Sequence, residues 1–234
     1  WVNNAGGKYI NLLCKGSLRQ LEGQLRKTPD EHIADIKENL AYAESLGISV
    51  NVYLEDWSNG MRNSQDYVFY ILDNLQNTSI KRFMLPDTLG ILYPKETYKY
   101  CKQIRERYPN LHFDFHGHND YGLAVANSTA ALTAGFNGIH TSVNGLGERA
   151  GNTVLSTIVP CIHDHLHMET TVQEITLNKI SKIVETISGI RVASNMPIIG
   201  ENVFTQTAGV HADGDKKGNL YCNELMPERF GRVR

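Results

Sequence analysis

The chain has 234 residues, 41% of them hydrophobic, enough to bury the core of one large α/β domain or two small ones. With 23 Lys and Arg against 25 Asp and Glu, the net charge of −2 leaves no basic footprint for nucleic acid, and no apolar run nears the length of a membrane span. Nucleic acid and membrane are therefore not expected as partners, and a small-molecule site is.

Apolar runs of strand length recur at 9–13, 48–54, 82–85, 111–115 and 138–143, with helical patterns between them. The first helix, 30–46, carries Ile33, Ile36, Leu40, Ala43 and Leu46 at three-to-four spacing; 67–75, 96–108 and 124–134 follow the same rule. Five β-then-α units predict a parallel sheet. Two more helices are expected at 154–167 and 172–187, then a glycine-rich polar segment from Pro197 that packs as a small subdomain or reaches across a dimer interface. The expected division is a catalytic domain over 1–190 and a linker with the start of a subdomain over 191–234.

Two α/β architectures fit five such units: a doubly wound sheet, or a (β/α)8 TIM barrel lacking about three of the roughly 250-residue set. Polar groups decide between them. Lys15 follows the first strand, Glu55 and Asp56 the second, Asp87 and Thr88 the third, His116 and His118 the fourth, and Asn144 the fifth. Barrels collect site residues from the C-terminal ends of many strands, whereas open sheets concentrate them at one switch point. A partial barrel is the expectation.

In FDFHGHNDYG, His116 and His118 stand two apart at a strand end, so both imidazoles share a face and make half of a divalent-metal site. A second histidine-rich run, His163, His165 and His167, falls on a predicted helix, where residues two apart diverge; it reads as polar residues at a helix C-terminus. NGLGERAGN, residues 144–152, is expected to follow the fifth strand and open the next helix, bringing Glu148 and Asn152 to the same mouth as the histidines. The four cysteines, Cys14, Cys101, Cys161 and Cys222, form no CxxC pair; they read as free thiols in a reducing compartment, with the cytoplasm as the expected location.

These motifs, together with NVYLEDWSNG, LPDTLG and GENVFTQTAGVHADGDKKGNLY, resemble those of the isopropylmalate, homocitrate and citramalate synthases, in the group that also includes HMG-CoA lyase. The wording is most similar to citramalate synthases. The resemblance implies a (β/α)8 barrel followed by a small subdomain that completes the partner's active site in a homodimer. One departure stands out: the family's Asp-Arg-Glu-type motif, which ends its first strand and supplies an aspartate ligand and an arginine, does not occur here. In the family the HxH motif ends the seventh strand, so the five strands here correspond to the fourth through eighth. With a chain that starts at Trp1, the expectation is a longer polypeptide with three units upstream.

The implied chemistry is condensation of acetyl-CoA with a 2-oxo acid, followed by thioester hydrolysis. A divalent ion, Mn2+, Mg2+ or Zn2+, would be held by His116 and His118 with Asn152 nearby. Glu55 and His211 are the implied candidates for the base, with Tyr221 as a hydrogen-bond donor and Asp213 orienting His211. Glu55 could equally be a solvated strand end and Tyr221 a packing aromatic. Thr88 is implied to bind the oxo-acid carboxylate, or else to cap a helix. Glu148 and Asn219 belong to the implied substrate set. Leu13 and Tyr53 match the family's pocket wall, and their bulk favours pyruvate over 2-oxoisovalerate, leaving isopropylmalate synthesis as the alternative. A lyase of the same group is disfavoured because the Gly147-Glu148-Arg149 loop lacks the cysteine of HMG-CoA lyases; a non-catalytic binding module is the remaining alternative.

Overall fold

In the first strand, Ile10, Leu12 and Cys14 alternate with Asn11, Leu13 and Lys15, and a pleated backbone sends the two sets to opposite faces. A computed structural model, describing residues 1–218, 220–221 and 223–232, carries this alternation through a five-stranded parallel sheet. Its strands are β1 (Tyr9–Lys15), β2 (Ser49–Glu55), β3 (Phe83–Asp87), β4 (Phe113–Gly117) and β5 (Gly138–His140), hydrogen-bonded in the order β1-β2-β3-β4-β5. A doubly wound sheet reverses its order at a switch point, and this one does not.

The helices are α1 (Leu18–Gln20), α2 (Pro29–Ser45), α3 (Trp57–Asn63), α4 (Gln65–Leu75), α5 (Pro94–Arg107), α6 (Ala124–Thr133), α7 (Leu155–Leu166), α8 (Leu177–Ser188) and α9 (Gly209–Lys216). One face of the sheet, through Val50, Val52, Leu54, Phe83, Leu85, Phe113 and Phe115, joins a single core with Ile33, Ile36 and Leu40 of α2, Val68, Ile71 and Leu72 of α4, and Cys101 and Ile104 of α5. The other face carries Asn11, Leu13, Lys15, Tyr53, Glu55, Asp114 and His116. The start of α2 shows why the sequence begins a helix there: Thr28 accepts from the Glu31 N–H, Glu31 accepts from the Thr28 N–H, and Pro29 fills the first turn.

Three elements differ from expectation. Helix α3 was not expected; it buries Trp57 and Met61, one turn apart, in the core, Asn59 donates to Asp56, and Gly60 permits a close approach, a Cβ there falling 2.0 Å from the Gly16 carbonyl oxygen. Strand β5 ends at His140 instead of continuing to 143, as the chain turns through a 3-10 segment, Val143–Gly145, with Asn144 at φ 59°. NGLGERAGN does not itself open a helix, since α7 starts only at Leu155.

Contacts divide the chain into two units: Trp1–Thr141 with Gly147–Thr153, and Ser142–Leu146 with the chain from Val154 onward. The trailing helices α7 and α8 thus group with the C-terminal segment. The physical reason is a small second core in which Leu177 of α8 is buried with Ile198, Ile199 and Phe230. Cys14, Cys101 and Cys161 are free thiols; Cys222 lies outside the described residues. No helix among the described residues is long and apolar enough to cross a membrane.

Candidate active site

Parallel strands place all their C-terminal ends at one edge, and the register then aligns side chains in rows across the sheet. One row runs Leu13, Tyr53, Met84, Asp114, Gly138. Two residues on, at the strand ends, Lys15 pairs with Glu55, Pro86 with His116, and His116 with His140. The expected pocket-wall residues Leu13 and Tyr53 are therefore direct neighbours, one layer beneath Glu55 and His116.

The two histidines of HxH converge, with their Nε2 atoms 3.2 Å apart. Burial and the neighbouring rings of His118 and His140 hold the His116 imidazole down at about 4, so it is uncharged at neutral pH. Burial and the Arg149 guanidinium likewise lower His118. Asn152 is brought alongside by an antiparallel bridge to His118. Gly147 closes on the Asn152 amide so tightly that a Cβ at 147 would lie 2.5 Å from Nδ2. Two uncharged imidazoles beside an amide fit a borderline or hard divalent ion. Among the described residues, no group of three or more His, Cys, Asp or Glu side chains is arranged to hold one.

Three of the sequence motifs interlock around this pair. Arg149 of GERAGN makes a two-pronged ion pair to Asp120 of HND, Nε to Oδ1 at 2.8 Å and Nη2 to Oδ2 at 2.9 Å, and also donates to the Thr88 carbonyl at 2.9 Å. Gly90 of LPDTLG lies under Asp120, with no room for a Cβ. Backbone bonds from Asn119 to the Gly151 carbonyl and from Thr153 to the Gly117 carbonyl complete the join. Glu148 is exposed beside the Arg149 guanidinium, 3.6 Å away.

Asp56 and Asp87, both at strand ends, are buried ties that hold loops. Asp56 accepts from Ser17 and Asn59, and Asp87 accepts from the N–H groups of Ile91 and Leu92. The Thr88 hydroxyl accepts from the Asp56 N–H at 2.8 Å, which leaves its own proton to donate elsewhere. Glu55 pairs with Lys15.

His140 was not singled out in the sequence. Its ring lies 5.7 Å from that of His116 and stacks on Tyr53 at 6.5 Å. Burial would raise the Asp114 carboxyl beneath it, yet the His140 ring 3.7 Å away and a 2.8 Å hydrogen bond with His112 hold that carboxyl down at about 2. The signal was its place at the end of the fifth apolar run, which three further residues of assumed strand obscured.

In the second unit, the His211 and Tyr221 rings stack 4.2 Å apart. Asp213 accepts from Lys217 at 2.6 Å, and its described hydrogen bond does not go to His211. Asn144 donates to the Ser181 carbonyl, tying its loop to α8. Asn219 lies outside the described residues. Of the other histidine run, His163 has both ring nitrogens engaged, by Glu174 at 2.7 Å and Thr170 at 3.0 Å.

The HMGL-like family profile matches residues 2–187. Over 226 residues, 96% of this chain, there is 32% identity to a Methanopyrus kandleri protein named (R)-citramalate synthase, of which 44% is covered. A homocitrate synthase of Sulfolobus acidocaldarius is 36% identical over 214 residues, 92% of this chain and 45% of that protein. The chain thus spans less than half the length of these curated relatives. The crystal structure of hydroxymethylglutaryl-CoA lyase from Pseudomonas aeruginosa superposes with a TM-score of 0.70 at 19% identity, over 82% of this chain and 66% of that one, a likeness of fold.

Proposed function

As the chain belongs to the HMGL-like family, we propose that it works as the catalytic part of an acyl-CoA-dependent synthase, joining acetyl-CoA to a 2-oxo acid and hydrolysing the thioester. The observation that carries this reading is the convergence of two uncharged imidazoles, His116 and His118, beside Asn152 at the strand ends of a sheet related to such synthases. In this reading the five strands are the fourth to eighth of a (β/α)8 barrel, in keeping with their sequential order and one-sided helix layer.

A divalent ion (Mn2+, Mg2+ or Zn2+) held by His116, His118 and Asn152 would supply Lewis-acid polarisation of the keto carbonyl. The Thr88 hydroxyl donates to the oxo-acid carboxylate. Leu13 and Tyr53 wall the space beside the keto group, and Glu148 lines its rim. Glu55 takes the proton from the thioester methyl. His211 and Tyr221, their rings stacked, serve the barrel of a second copy in a homodimer, and Asn219 completes the substrate set. Co-expressing His116→Ala and His211→Ala chains should restore part of the activity through hybrid dimers, and no recovery would reject the exchange.

A leucine and tyrosine wall admits a methyl group beside the carbonyl and crowds an isopropyl group by about 1–3 kcal/mol. In the full-length protein, thiol release from acetyl-CoA should therefore show kcat/KM about 5- to 150-fold higher with pyruvate than with 2-oxoisovalerate. The reverse preference would replace citramalate by isopropylmalate as the product. No thiol release with either acid would reject the synthase reading.

A further inference from the structure

Lys15 ends β1 with its side chain buried, and a buried ammonium without a counter-charge is costly. Its counter-charge is Glu55, its register partner at the end of β2. The Lys15 backbone is held on the helix side of the sheet. The Lys15 N–H donates to His32 Nε2 of α2 at 3.4 Å, the Lys15 carbonyl accepts from the Tyr67 hydroxyl of α4 at 3.2 Å, and His32 Nδ1 meets that hydroxyl at 2.8 Å. One residue on, the Gly16 N–H donates to the Glu55 carbonyl, and a Cβ on Gly16 would come 2.5 Å from the Leu54 oxygen. The strand end is thus clamped where the ammonium meets the carboxylate. Glu55 Oε2 is the paired oxygen; Oε1 accepts no hydrogen bond among the described residues, and the side chain is 26% exposed.

We propose that Lys15 is the positioning residue for Glu55, holding one carboxylate oxygen so that the other is presented to the substrate. This rests on the synthase reading above. In the step served, the thioester methyl C–H bond breaks, its proton forms an O–H bond at Glu55 Oε1, and the electron pair becomes that of the enolate. That enolate carbon then attacks the keto carbon. Lys15 fixes the direction of the carboxylate throughout, which is where an aligned general base gains its rate.

The test uses the full-length protein, reading thiol release, exchange of the acetyl-CoA methyl protons with D2O, and calorimetric binding of pyruvate. Lys15→Met should lower kcat and exchange about 100-fold. Pyruvate affinity should stay within about threefold, because the carboxylate that Lys15 holds acts on the other substrate. Lys15→Arg, keeping charge and donors, should recover most of the loss. Glu55→Gln should fall at least as far as Lys15→Met, and the double variant Lys15→Met/Glu55→Gln, which buries no lone charge, should fall no further than Glu55→Gln alone. Full turnover by Lys15→Met, losses that multiply in the double variant, or an equal loss in pyruvate binding would each overturn the positioning role while leaving the synthase reading intact. Absence of thiol release by the unaltered protein would overturn both.

Discussion

The chain holds two histidine-rich segments of similar composition, and the fold treats them oppositely. At the end of β4, His116 and His118 are desolvated and face each other at Nε2. At the end of α7, His163 is satisfied at both nitrogens by Glu174 and Thr170. Arg229 joins that cluster, bonding both oxygens of Asp164 and Glu174. Composition alone would favour the second run as a metal site. Period two on a strand and period 3.6 on a helix separate them, because only the strand aims alternate side chains the same way.

Removing a ring from the first pair should have the largest effect. His116→Ala is expected to abolish metal-dependent thiol release, a loss on the order of 10³-fold for several kcal/mol of Lewis-acid stabilisation. Metal content of the purified variant would show whether the ligand or only the fold was lost. If His165→Ala matched it, the contrast between the two runs would collapse.

A smaller change at the same site comes from Gly147→Ala, whose Cβ would press on the Asn152 amide. Displacing a ligand-side group in this way should weaken metal affinity about 10- to 100-fold at little cost in melting temperature. Affinity unchanged by titration with Mn2+ or Zn2+ would remove Asn152 from the candidate set.

On the other side of the comparison the expected effects concern stability. Arg229→Ala leaves Asp164 and Glu174 without their cation and should destabilise the protein by about 2 kcal/mol, the scale of charged hydrogen bonds, measurable by denaturant titration. The pH dependence has a definite sign. Arg229 holds the carboxyls of Asp164 and Glu174 below their ordinary range, so they bind fewer protons folded than unfolded. The stability they contribute is present above about pH 4, the unfolded carboxylate range, and is lost as pH falls through the lowered folded values. Arg229→Ala should flatten that acid loss, and an equally steep loss in the variant would place its origin elsewhere. The smallest effect belongs to His165→Ala, expected within about twofold of the unaltered activity because it lies at a polar helix end.

The places of the candidate residues along the strands were legible in the sequence. Leu13, Tyr53, Glu55, Thr88, His116 and His118 were all read at strand ends, and the register sets Leu13 beside Tyr53 and His116 one row above. What escaped was tertiary in origin. Helix α3 is only seven residues long, with Trp57 and Met61 as its one apolar pair, and it is held by Asp56 and a close glycine contact that depend on the tertiary fold. Asp56 and Asp87 looked like site groups, and the fold uses them as ties for loop backbone.

The sequence by itself determined the alternation of strand and helix, the parallel sheet, and the shared face of His116 and His118, because side-chain period is a local property of the backbone. Tertiary structure alone decided which of those groups meet: Lys15 with Glu55, His140 with Asp114 and Tyr53, and Arg149 with Asp120. It also assigned α7 and α8 to the second unit. Such pairings join residues 26 to 87 positions apart and depend on register, crossover length and the space that glycines leave, none of which is encoded within a local stretch of chain.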